Sequence, residues 1–450
     1  MKIIHTILVT VVALSIFSLS SCTKDRMPSS NDVDNQLRAF MKSTAEDGRL
    51  DYYILADEND LPSIPQDPKN ILTKEKVELG KLLFFDTGLA MDALYPSGLG
   101  TYSCASCHIP SAGFRPGRAQ GIADGGLGYG VNGENRVKNR DYRGEELDAQ
   151  GARPLTLVNV AYVTNTFWNG QFGATEVNEG TEDLWDLRED THLNELGFEG
   201  IETQNMEGVK AHRISFEKEL LDQLGYTELF DEAFSDFPVS ERYGHLTGSL
   251  ALSAYIRTIL GNKAPLQEWL KGDDFAMSIE EKRGAVLFFG KARCNNCHYR
   301  PNLGSLEFHA LGVNDMHQIP SFNTSEDDRR NLGRGGFTLN KADNYKFKVP
   351  GLYNLSDAPF FFHGSSARTL EEAVDYKINA LSENVSIPQR LLSEKFLPLN
   401  LTEDERSDLI LFLEKSLRDP DLIRYQPEEV LSGLCFPNND LQSTIDLGCN

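Results

Sequence analysis

After Leu19 the sequence lacks any apolar run long enough to span a membrane, so it predicts no spanning helix in the rest of its 450 residues. It also lacks an excess of positive charge, because 44 Lys and Arg residues face 67 Asp and Glu residues and give a formal net charge of -23. Such a chain repels phosphate, which excludes nucleic acid as an expected partner. The macromolecular partner that this charge favours is a basic protein.

Strand patterns are scarce as well. Glycine-rich loops such as GIADGGLGYGVNGEN alternate with helical stretches such as TEDERSDLILFLEKSL, in which Leu409, Leu411 and Phe412 keep one side apolar. The sequence therefore predicts a mainly α protein with long ordered loops. Loops of this length are unusual in a compact domain unless they wrap something large.

The first residues have the features of an exported lipoprotein. MKIIHTILVTVVALSIFSLSSC has a short basic start, an apolar run too short to span a bilayer, and small residues before Cys22. We expect a signal peptide over 1–21 and a lipid on Cys22 that anchors the protein on the periplasmic side of a bacterial membrane. The outer membrane is favoured because no Asp directly follows Cys22; plain cleavage near Ser21 is the alternative. Residues 22–65 are polar and irregular, and we expect a tether with one helix near 35–44.

Four of the seven cysteines belong to one five-residue pattern, Cys-x-x-Cys-His, that occurs twice. The first motif is Cys104, Cys107 and His108, and the second motif is Cys294, Cys297 and His298. Each follows a helical lead-in with Gly-x-x-Leu-Phe-Phe, at Gly80–Phe85 and Gly284–Phe289, and the second lead-in opens with the capping-box pattern Ser278-x-x-Glu281. This internal repeat predicts two similar domains with a boundary near 262–277.

Two thiols three residues apart with an adjacent histidine form the attachment signature of c-type haem, in which the thiols bond the porphyrin and the histidine binds its iron. A zinc site or a thiol redox site is the alternative, but two copies in an exported chain favour covalent haem. We therefore expect two haem c groups, which the long loops would wrap. After His108 no histidine or methionine follows until His192, so the first iron is expected to stay open to peroxide. Met316 follows His298; we expect an ordinary loop residue there, with ligation of the second iron as the alternative.

Several separated stretches resemble, in the right order, the bacterial di-haem cytochrome c peroxidases and their methylamine-dehydrogenase-maturation relatives. They are LGKLLFFDTGLA with SCASCH, RPLTLVNVAYVTNTFWNGQ, LFFGKARCNNCH and FKVPGLYNLSDAPFFFHGSSARTLEEAVDYK. The resemblance covers 66–419 and implies two all-α cytochrome c domains, each with one covalent haem, the haems facing a shared interface. It also implies reduction of hydrogen peroxide to water with electrons from a small cytochrome c or copper protein.

By the same resemblance, the first motif holds the peroxidatic haem and the second motif the electron-accepting haem. Trp168, in FWNG, matches a tryptophan that relays electrons between the two haems, although alone it would read as a buried core aromatic. His363, in FFFHG, matches a histidine near the accepting haem, with a propionate as its expected partner. The family also places calcium between its domains; the ligand stretches here are altered and Asp357 is new, so the sequence allows this ion without requiring it.

Two departures from the family pattern concern the iron ligands. No histidine stands at Asp124 or its neighbours, where many of these peroxidases carry one that blocks the resting haem, so no reductive activation is expected. The sixth ligand of the accepting haem, methionine or tyrosine in the family, falls on Lys377 with Tyr376 beside it. Lysine, tyrosine and a ligand from elsewhere all stay open.

A third departure concerns proton transfer. The family's acid–base side chains follow the tryptophan at intervals that an insertion has stretched here. The expected replacement is GIETQNMEGVKAHRI, which offers Glu202, Gln204 and His212. Peroxide cleavage needs a base that takes the first proton and returns it to the leaving oxygen. Any of the three could act so, and each could equally be an ordinary polar residue.

These inferences divide the chain into five expected segments. They are the signal peptide at 1–21, the tether at 22–65, the N-terminal cytochrome c domain at 66–270, the C-terminal one at 271–430, and a tail at 431–450. Cys435 and Cys449 are expected to close the tail as a disulfide. The expected function is a di-haem peroxidase of hydrogen peroxide; a maturation-type oxidase of a protein or small molecule and a non-enzymatic electron carrier are the alternatives. The sequence allows a homodimer without requiring one.

Overall fold

The structure is a computed structural model that describes residues 30–449. The predicted signal peptide, the lipidation residue Cys22 and the start of the tether lie outside those residues. Within 30–449, helix makes up 43% of the structure and strands are few, which confirms the mainly α prediction. No helix in this described range is long and apolar enough to cross a membrane.

Twelve α-helices are assigned within residues 30–449. They are α1 Ser30–Thr44, α2 Lys74–Phe85, α3 Gly200–Ala211, α4 Lys218–Leu224, α5 Thr227–Ala233, α6 His245–Arg257, α7 Pro265–Leu270, α8 Ile279–Phe289, α9 Gly335–Thr338, α10 Leu370–Asn379, α11 Glu403–Leu411 and α12 Leu441–Leu447. A π-helical turn, Phe412–Ser416, continues α11. Short 3₁₀ turns and loops form most of the remainder, including a 3₁₀ turn at the start of each cysteine motif.

Two small antiparallel sheets complete the described structure. In the first, β1 (Gly126–Leu127) pairs with β2 (Val137–Lys138). In the second, β3 (Phe308–His309) pairs with β4 (Phe347–Lys348), so that His309 lies opposite Phe347. Strands of two residues cannot form a core of their own, and the core therefore consists of helices and loops.

The same helix crossing occurs twice, once before each motif. Helix α2 packs on α6, and α8 packs on α11. A Cβ added to Gly80 would lie 1.9 Å from the carbonyl oxygen of Ala251, and one added to Gly284 would lie 2.0 Å from that of Asp408. Glycine is therefore required for the close approach at both crossings. The repeated Gly-x-x-Leu-Phe-Phe segment is thus a repeated helix contact.

Aromatic rings and caps extend this repeat. The Phe84 ring meets Tyr255 at 5.3 Å between centroids, and Phe288 meets Phe412 at 5.5 Å, each with an interplanar angle of 59°. The predicted capping box is confirmed, because the Ser278 hydroxyl accepts from the amide of Glu281, whose carboxylate accepts from the amide of Ser278. Each lead-in helix therefore begins at a cap and ends in a phenylalanine that packs on its partner helix.

The segment predicted as a tether is folded from residue 30 onward. Helix α1 packs on α8, and its Leu37 and Met41 side chains are wholly buried. Asp34 accepts a hydrogen bond from the indole of Trp269 at 2.7 Å and pairs with Lys282 at 2.8 Å. Apolar residues at i and i+4 within an otherwise polar stretch explain the difference, since they give one buried face. The predicted helix is present and begins earlier, at Ser30.

The C-terminal residues 431–449, which we call the C-terminal strap, return to the first half of the chain (66–270). Cys435 and Cys449, the pair predicted from the sequence, are joined as a disulfide. The buried Asp440 carboxylate pairs with Arg136 at 3.2 Å. Ser103 and Ser106, which flank Cys104, both donate to a single carbonyl oxygen in the strap, that of Pro437. The strap therefore covers the first motif from behind.

Candidate active site

The first motif is a tight turn built around its histidine. Cys104 begins a 3₁₀ turn that brings His108 back against the end of α2, 6.5 Å from the ring of Phe84. The Nδ1 atom of His108 bonds the carbonyl oxygen of Phe114 at 3.2 Å. Phe114 has a positive φ of 53°, which turns its carbonyl toward the ring. This contact fixes the imidazole and leaves Nε2 for a ligand.

The second motif repeats this arrangement. The ring of His298 lies 6.4 Å from Phe288, and its Nδ1 atom bonds the carbonyl oxygen of Leu303 at 2.8 Å. Leu303 also has a positive φ, of 51°. The two motifs therefore match in turn, in aromatic contact and in the atom that orients the histidine.

Burial prepares both motifs for a metal-bound group. It lowers the pKa of His108 and of His298 to about 4, so both imidazoles are neutral near pH 7, the form that binds iron. It raises the pKa of Cys104 and Cys107 to about 12. All four motif cysteines are free thiols, although the same chain closes a disulfide elsewhere.

The residues around the first motif fit covalent haem better than zinc. Within residues 30–449, neither Cys104 nor Cys107 belongs to any group of three metal-ligand side chains, whereas Cys297 of the second motif lies within 4.8 Å of ligand atoms of Glu307 and His309. Arg118 lies beside Cys107, and its Nε atom is buried without an acceptor in the described chain. A porphyrin propionate would supply the missing acceptor. The two free thiols, the neutral histidine and this orphaned donor together fit haem c.

A proton-transfer pair lies next to the first motif. The Nδ1 atom of His212 bonds the buried carboxylate of Asp148 at 2.7 Å, which leaves Nε2 free. The charge of His212 acts on His108, and that of Asp148 acts on both thiols of the motif. Burial opposes protonation of His212, but the Asp148 carboxylate outweighs it and raises the pKa of His212. This pair has the chemistry of a general acid–base.

The other two acid–base candidates have different surroundings. Glu202 is wholly buried on α3, and its carboxylate accepts two hydrogen bonds from Arg257, at 2.9 and 2.7 Å. That ion pair holds α3 to α6, so the prediction of a proton-transfer role for Glu202 is corrected to a structural one. Gln204 is half-buried on the same helix and makes no side-chain hydrogen bond within residues 30–449.

The loop that follows the first motif is fixed by Asp124. Its carboxylate accepts hydrogen bonds from Tyr142 at 2.6 Å and from the amide of Leu94 at 2.9 Å, and it pairs with Arg213. This side chain is wholly buried. The position expected to lack a blocking histidine is therefore occupied by an anchor that holds the loop to the protein.

The second motif faces an amine instead. Lys377 lies in the last turn of α10, and its charge acts on Cys294, Cys297 and His298. Burial lowers the pKa of Lys377 to about 8. Tyr376 points elsewhere, because its hydroxyl donates to the carbonyl oxygen of Leu311 at 2.6 Å. The predicted loop residue Met316 is wholly buried at the start of a 3₁₀ turn.

Trp168 joins the two halves of the chain. Its indole N–H donates to the carbonyl oxygen of Arg153 at 2.7 Å, and its own carbonyl accepts from the amide of Lys348 at 2.7 Å. Its ring meets those of Phe347 and His363 edge-on, with centroids 6.5 and 6.2 Å away. Trp168 is thus held in place by residues from both halves.

Two side chains in the second half (271–430) bond protein groups. The Nε2 atom of His363 bonds the buried carboxylate of Asp315 at 2.8 Å, and its Nδ1 atom makes no hydrogen bond within residues 30–449, so the propionate contact stays a prediction. Asp357, the expected calcium ligand, accepts from Arg418 and from Asn354, each at 2.8 Å. Both oxygens of Asp357 are therefore already bonded, and this carboxylate does not support the calcium expectation.

The fold and the two motifs define a helical protein with two candidate sites for covalent haem. The family model described as di-haem cytochrome c peroxidase matches residues 74–275. This match agrees with the resemblance inferred from the sequence and confirms it.

Curated relatives are similar over most of the chain. The methylamine utilization protein MauG of Methylorubrum extorquens is 29% identical over 365 residues, which are 80% of this chain and 83% of the relative. The cytochrome-c peroxidase IdrP1 of Denitromonas iodatirespirans is 28% identical over 390 residues, 82% of this chain and 88% of the relative. Both kinds of name therefore occur among proteins similar to this one.

Solved structures support the fold. A MauG-like protein associated with microbial copper homeostasis matches with a TM-score of 0.54 and 24% identity, over 81% of this chain and 95% of its own. A variant of the diheme peroxidase BthA from Burkholderia thailandensis matches with a TM-score of 0.51 and 16% identity, over 83% and 91%. At these identities the likeness concerns the fold alone.

Proposed function

We propose that this protein reduces hydrogen peroxide to water at the first motif, with electrons that arrive through the second motif. The reaction consumes one peroxide, two electrons and two protons and forms two waters. One observation carries the proposal: two sites of the same build have unequal surroundings. A proton-transfer pair lies beside His108, whereas an amine lies beside His298.

Each motif would hold one haem c. The cysteines would bond the porphyrin and the histidine Nε2 would bind the iron, which supplies the redox chemistry at each site. The match to the di-haem family model, the free thiols and the orphaned Nε of Arg118 support two covalent haems.

His212 would move the protons. Its free Nε2 would take a proton from one peroxide oxygen and return it to the other as that oxygen leaves as water. Asp148 would hold the ring in the tautomer that keeps Nε2 unprotonated at rest, since Nδ1 then carries the proton shared with the carboxylate.

Trp168 would pass one electron at a time between the halves. Its indole proton bonds a backbone carbonyl, which is not a base, so the proton stays on the ring while the electron moves. The edge-on contacts with Phe347 and His363 hold the ring against residues of the second half.

A small basic cytochrome c or cupredoxin is the proposed electron donor, because the chain carries a net charge of -23. Relatives with cytochrome c peroxidase in their names agree with a donor of that kind. We also propose that Cys22 is lipidated and anchors the protein on the periplasmic side of the outer membrane.

The test combines spectra with turnover. Visible and EPR spectra of the oxidised and half-reduced protein are recorded, and peroxide is then added with reduced cytochrome c. We expect one high-spin haem and rapid oxidation of the donor. Two low-spin haems with no reaction toward peroxide would overturn the proposal and leave a non-enzymatic electron carrier.

A second candidate is a maturation-type oxidase that draws electrons from a protein or small-molecule substrate. The similarity to the methylamine utilization protein MauG over 80% of the chain favours it. In the same experiment it predicts a high-spin haem that reacts with peroxide and bleaches without oxidising the donor.

A further inference from the structure

We infer that the amine of Lys377 is the sixth ligand of the iron in the second haem site, where it completes coordination with His298. The inference rests on the proposed function in one respect, namely that the second motif holds a haem. With Nζ of Lys377 bound to its iron, the second site would be closed to peroxide.

The placement of the amine is the first argument. Thr369 caps α10, and the helix carries Lys377 in its last turn to the second motif. The Nζ atom of Lys377 lies 5.9 Å from the ring centroid of Phe396, and the adjacent Lys395 donates to the carbonyl oxygen of Asn296, inside the second motif, at 2.8 Å. The charge of Lys377 also acts on both cysteines and the histidine of that motif. The amine is therefore close to the groups that would hold the haem.

The amine of Lys377 lies between two aromatic rings and makes no ion pair or hydrogen bond in the described chain. Its Nζ atom lies 5.7 Å from the ring centroid of Phe362 and 5.9 Å from that of Phe396. Within residues 30–449 it has no carboxylate partner and no hydrogen-bond acceptor. In this half-buried position an ammonium would have only the two ring faces as partners, whereas a neutral amine can donate its lone pair to iron. By contrast, the nearby Lys395 pairs with Glu307 at 2.6 Å.

The other candidate ligands near the second motif already have hydrogen-bond partners. The Tyr376 hydroxyl donates to the carbonyl oxygen of Leu311, and its ring stacks on Phe396. His309 uses both nitrogens: Nε2 bonds Glu307 at 2.8 Å and Nδ1 bonds Ser393 at 2.9 Å. Of these three side chains, Lys377 is the one that remains available to bind iron.

Two nitrogen ligands have consequences for the second site. They make its iron six-coordinate, so peroxide cannot bind there, and the reaction is confined to the first site. Methionine ligation raises the potential of haem c, so a nitrogen donor in its place gives a stronger reductant. The second site then serves as a store from which an electron leaves readily.

The test uses the full-length haem protein and does not depend on turnover. Protein labelled with ¹⁵N only in lysine is examined by pulsed EPR on its low-spin haem signal. We expect a ¹⁵N coupling that is absent from unlabelled protein. Absence of this coupling from a protein that contains both haems would overturn the inference, and no variant has to fold for this result.

Variants supply the second readout. Lys377→Ala is expected to convert the low-spin haem to high spin, and Lys377→Met to give a His/Met haem with a higher potential. Tyr376→Phe and Lys395→Met are the matched controls and are expected to leave the spectrum unchanged. An unchanged signal in Lys377→Ala, or its loss in Tyr376→Phe, would contradict the assignment.

Haem content separates the two proposals. Pyridine haemochrome absorbance and intact mass count the haems in every sample. If the wild-type protein carries no haem at the second motif, the proposed function fails. If it carries both haems and Lys377 contributes no coupling, the ligand assignment alone fails.

Discussion

The two motifs have the same local structure but different side chains beside them. In each, a glycine-dependent helix crossing positions a phenylalanine against the histidine, and a carbonyl from a positive-φ residue binds Nδ1. Outside this frame, the first motif meets a histidine–carboxylate pair and the second meets a lysine amine between aromatic rings. Duplication thus explains how haem would be held, and the unrepeated residues explain what each haem would do.

Removal of one pair of thiols is expected to have the largest effect on this comparison. The double variant Cys104→Ala, Cys107→Ala should lose one covalent haem and all peroxide turnover. The double variant Cys294→Ala, Cys297→Ala should also lose one haem, yet it should still react with peroxide at the first site and fail only to accept electrons from the donor. Intact mass, stopped-flow spectra and donor oxidation measure the three properties. Donor-dependent turnover in the first double variant would reverse the assigned roles.

The proton-transfer pair should give the next largest effect. Loss of a general acid–base slows a reaction by about 10² to 10⁴-fold, so His212→Ala is expected to lower kcat/KM for peroxide by that range. His192 is the matched control, since it too bonds a carboxylate through Nδ1, that of Asp186 at 2.8 Å, but lies exposed. Steady-state assays of both variants test the role. Equal rates in His192→Ala and His212→Ala would contradict it.

Asp148→Asn should produce a smaller change that shows in the pH profile. The carboxylate raises the pKa of His212, so its removal lowers that pKa. The neutral form that accepts a proton then persists to lower pH, and the acid limb of kcat/KM should move to lower pH. The profile of kcat/KM against pH measures this shift. An acid limb that stays in place would show that Asp148 does not act through His212.

Substitution of the glycines at the two helix crossings should have the smallest effect, a similar loss of stability in each half. Gly80→Ala and Gly284→Ala each force a methyl group against a carbonyl oxygen and should destabilise the protein by about 1 to 3 kcal/mol. Gly208→Ala, within α3, is the control, because its Cβ would come no closer than 3.7 Å to any atom outside the helix backbone. Thermal unfolding of the haem protein gives the comparison. A neutral result at either crossing would show that the repeat is not a matched contact.

Much of the structure that holds the two motifs could be predicted from the sequence. The motifs, the lead-in repeat and the capping box are short-range patterns, each determined by residues within a few positions of one another. The disulfide between Cys435 and Cys449 followed from two cysteines left over in a chain that the sequence predicts to be exported. Such local patterns can be predicted from the sequence because the residues that form them are close in the chain.

The parts that sequence reasoning missed depend on distant partners. Asp148 and His212 are 64 residues apart, and no motif surrounds Asp148. Glu202 has the side chain of a general acid, but Arg257, 55 residues away, neutralises it. Asp315, which bonds Nε2 of His363, is 48 residues from that histidine. A list of polar residues does not reveal which of them a buried cation or carboxylate will engage.

The C-terminal strap links the order of synthesis to the order of assembly. The turn that carries Cys104 and Cys107 is among the first parts of the folded body to be made, and the Pro437 carbonyl that binds its two serines is among the last. Because these partners are more than 300 residues apart, the back of the turn stays uncovered during synthesis until residue 437 has been made. A porphyrin that bonds the earlier cysteine pair before that point would meet a turn without this cover.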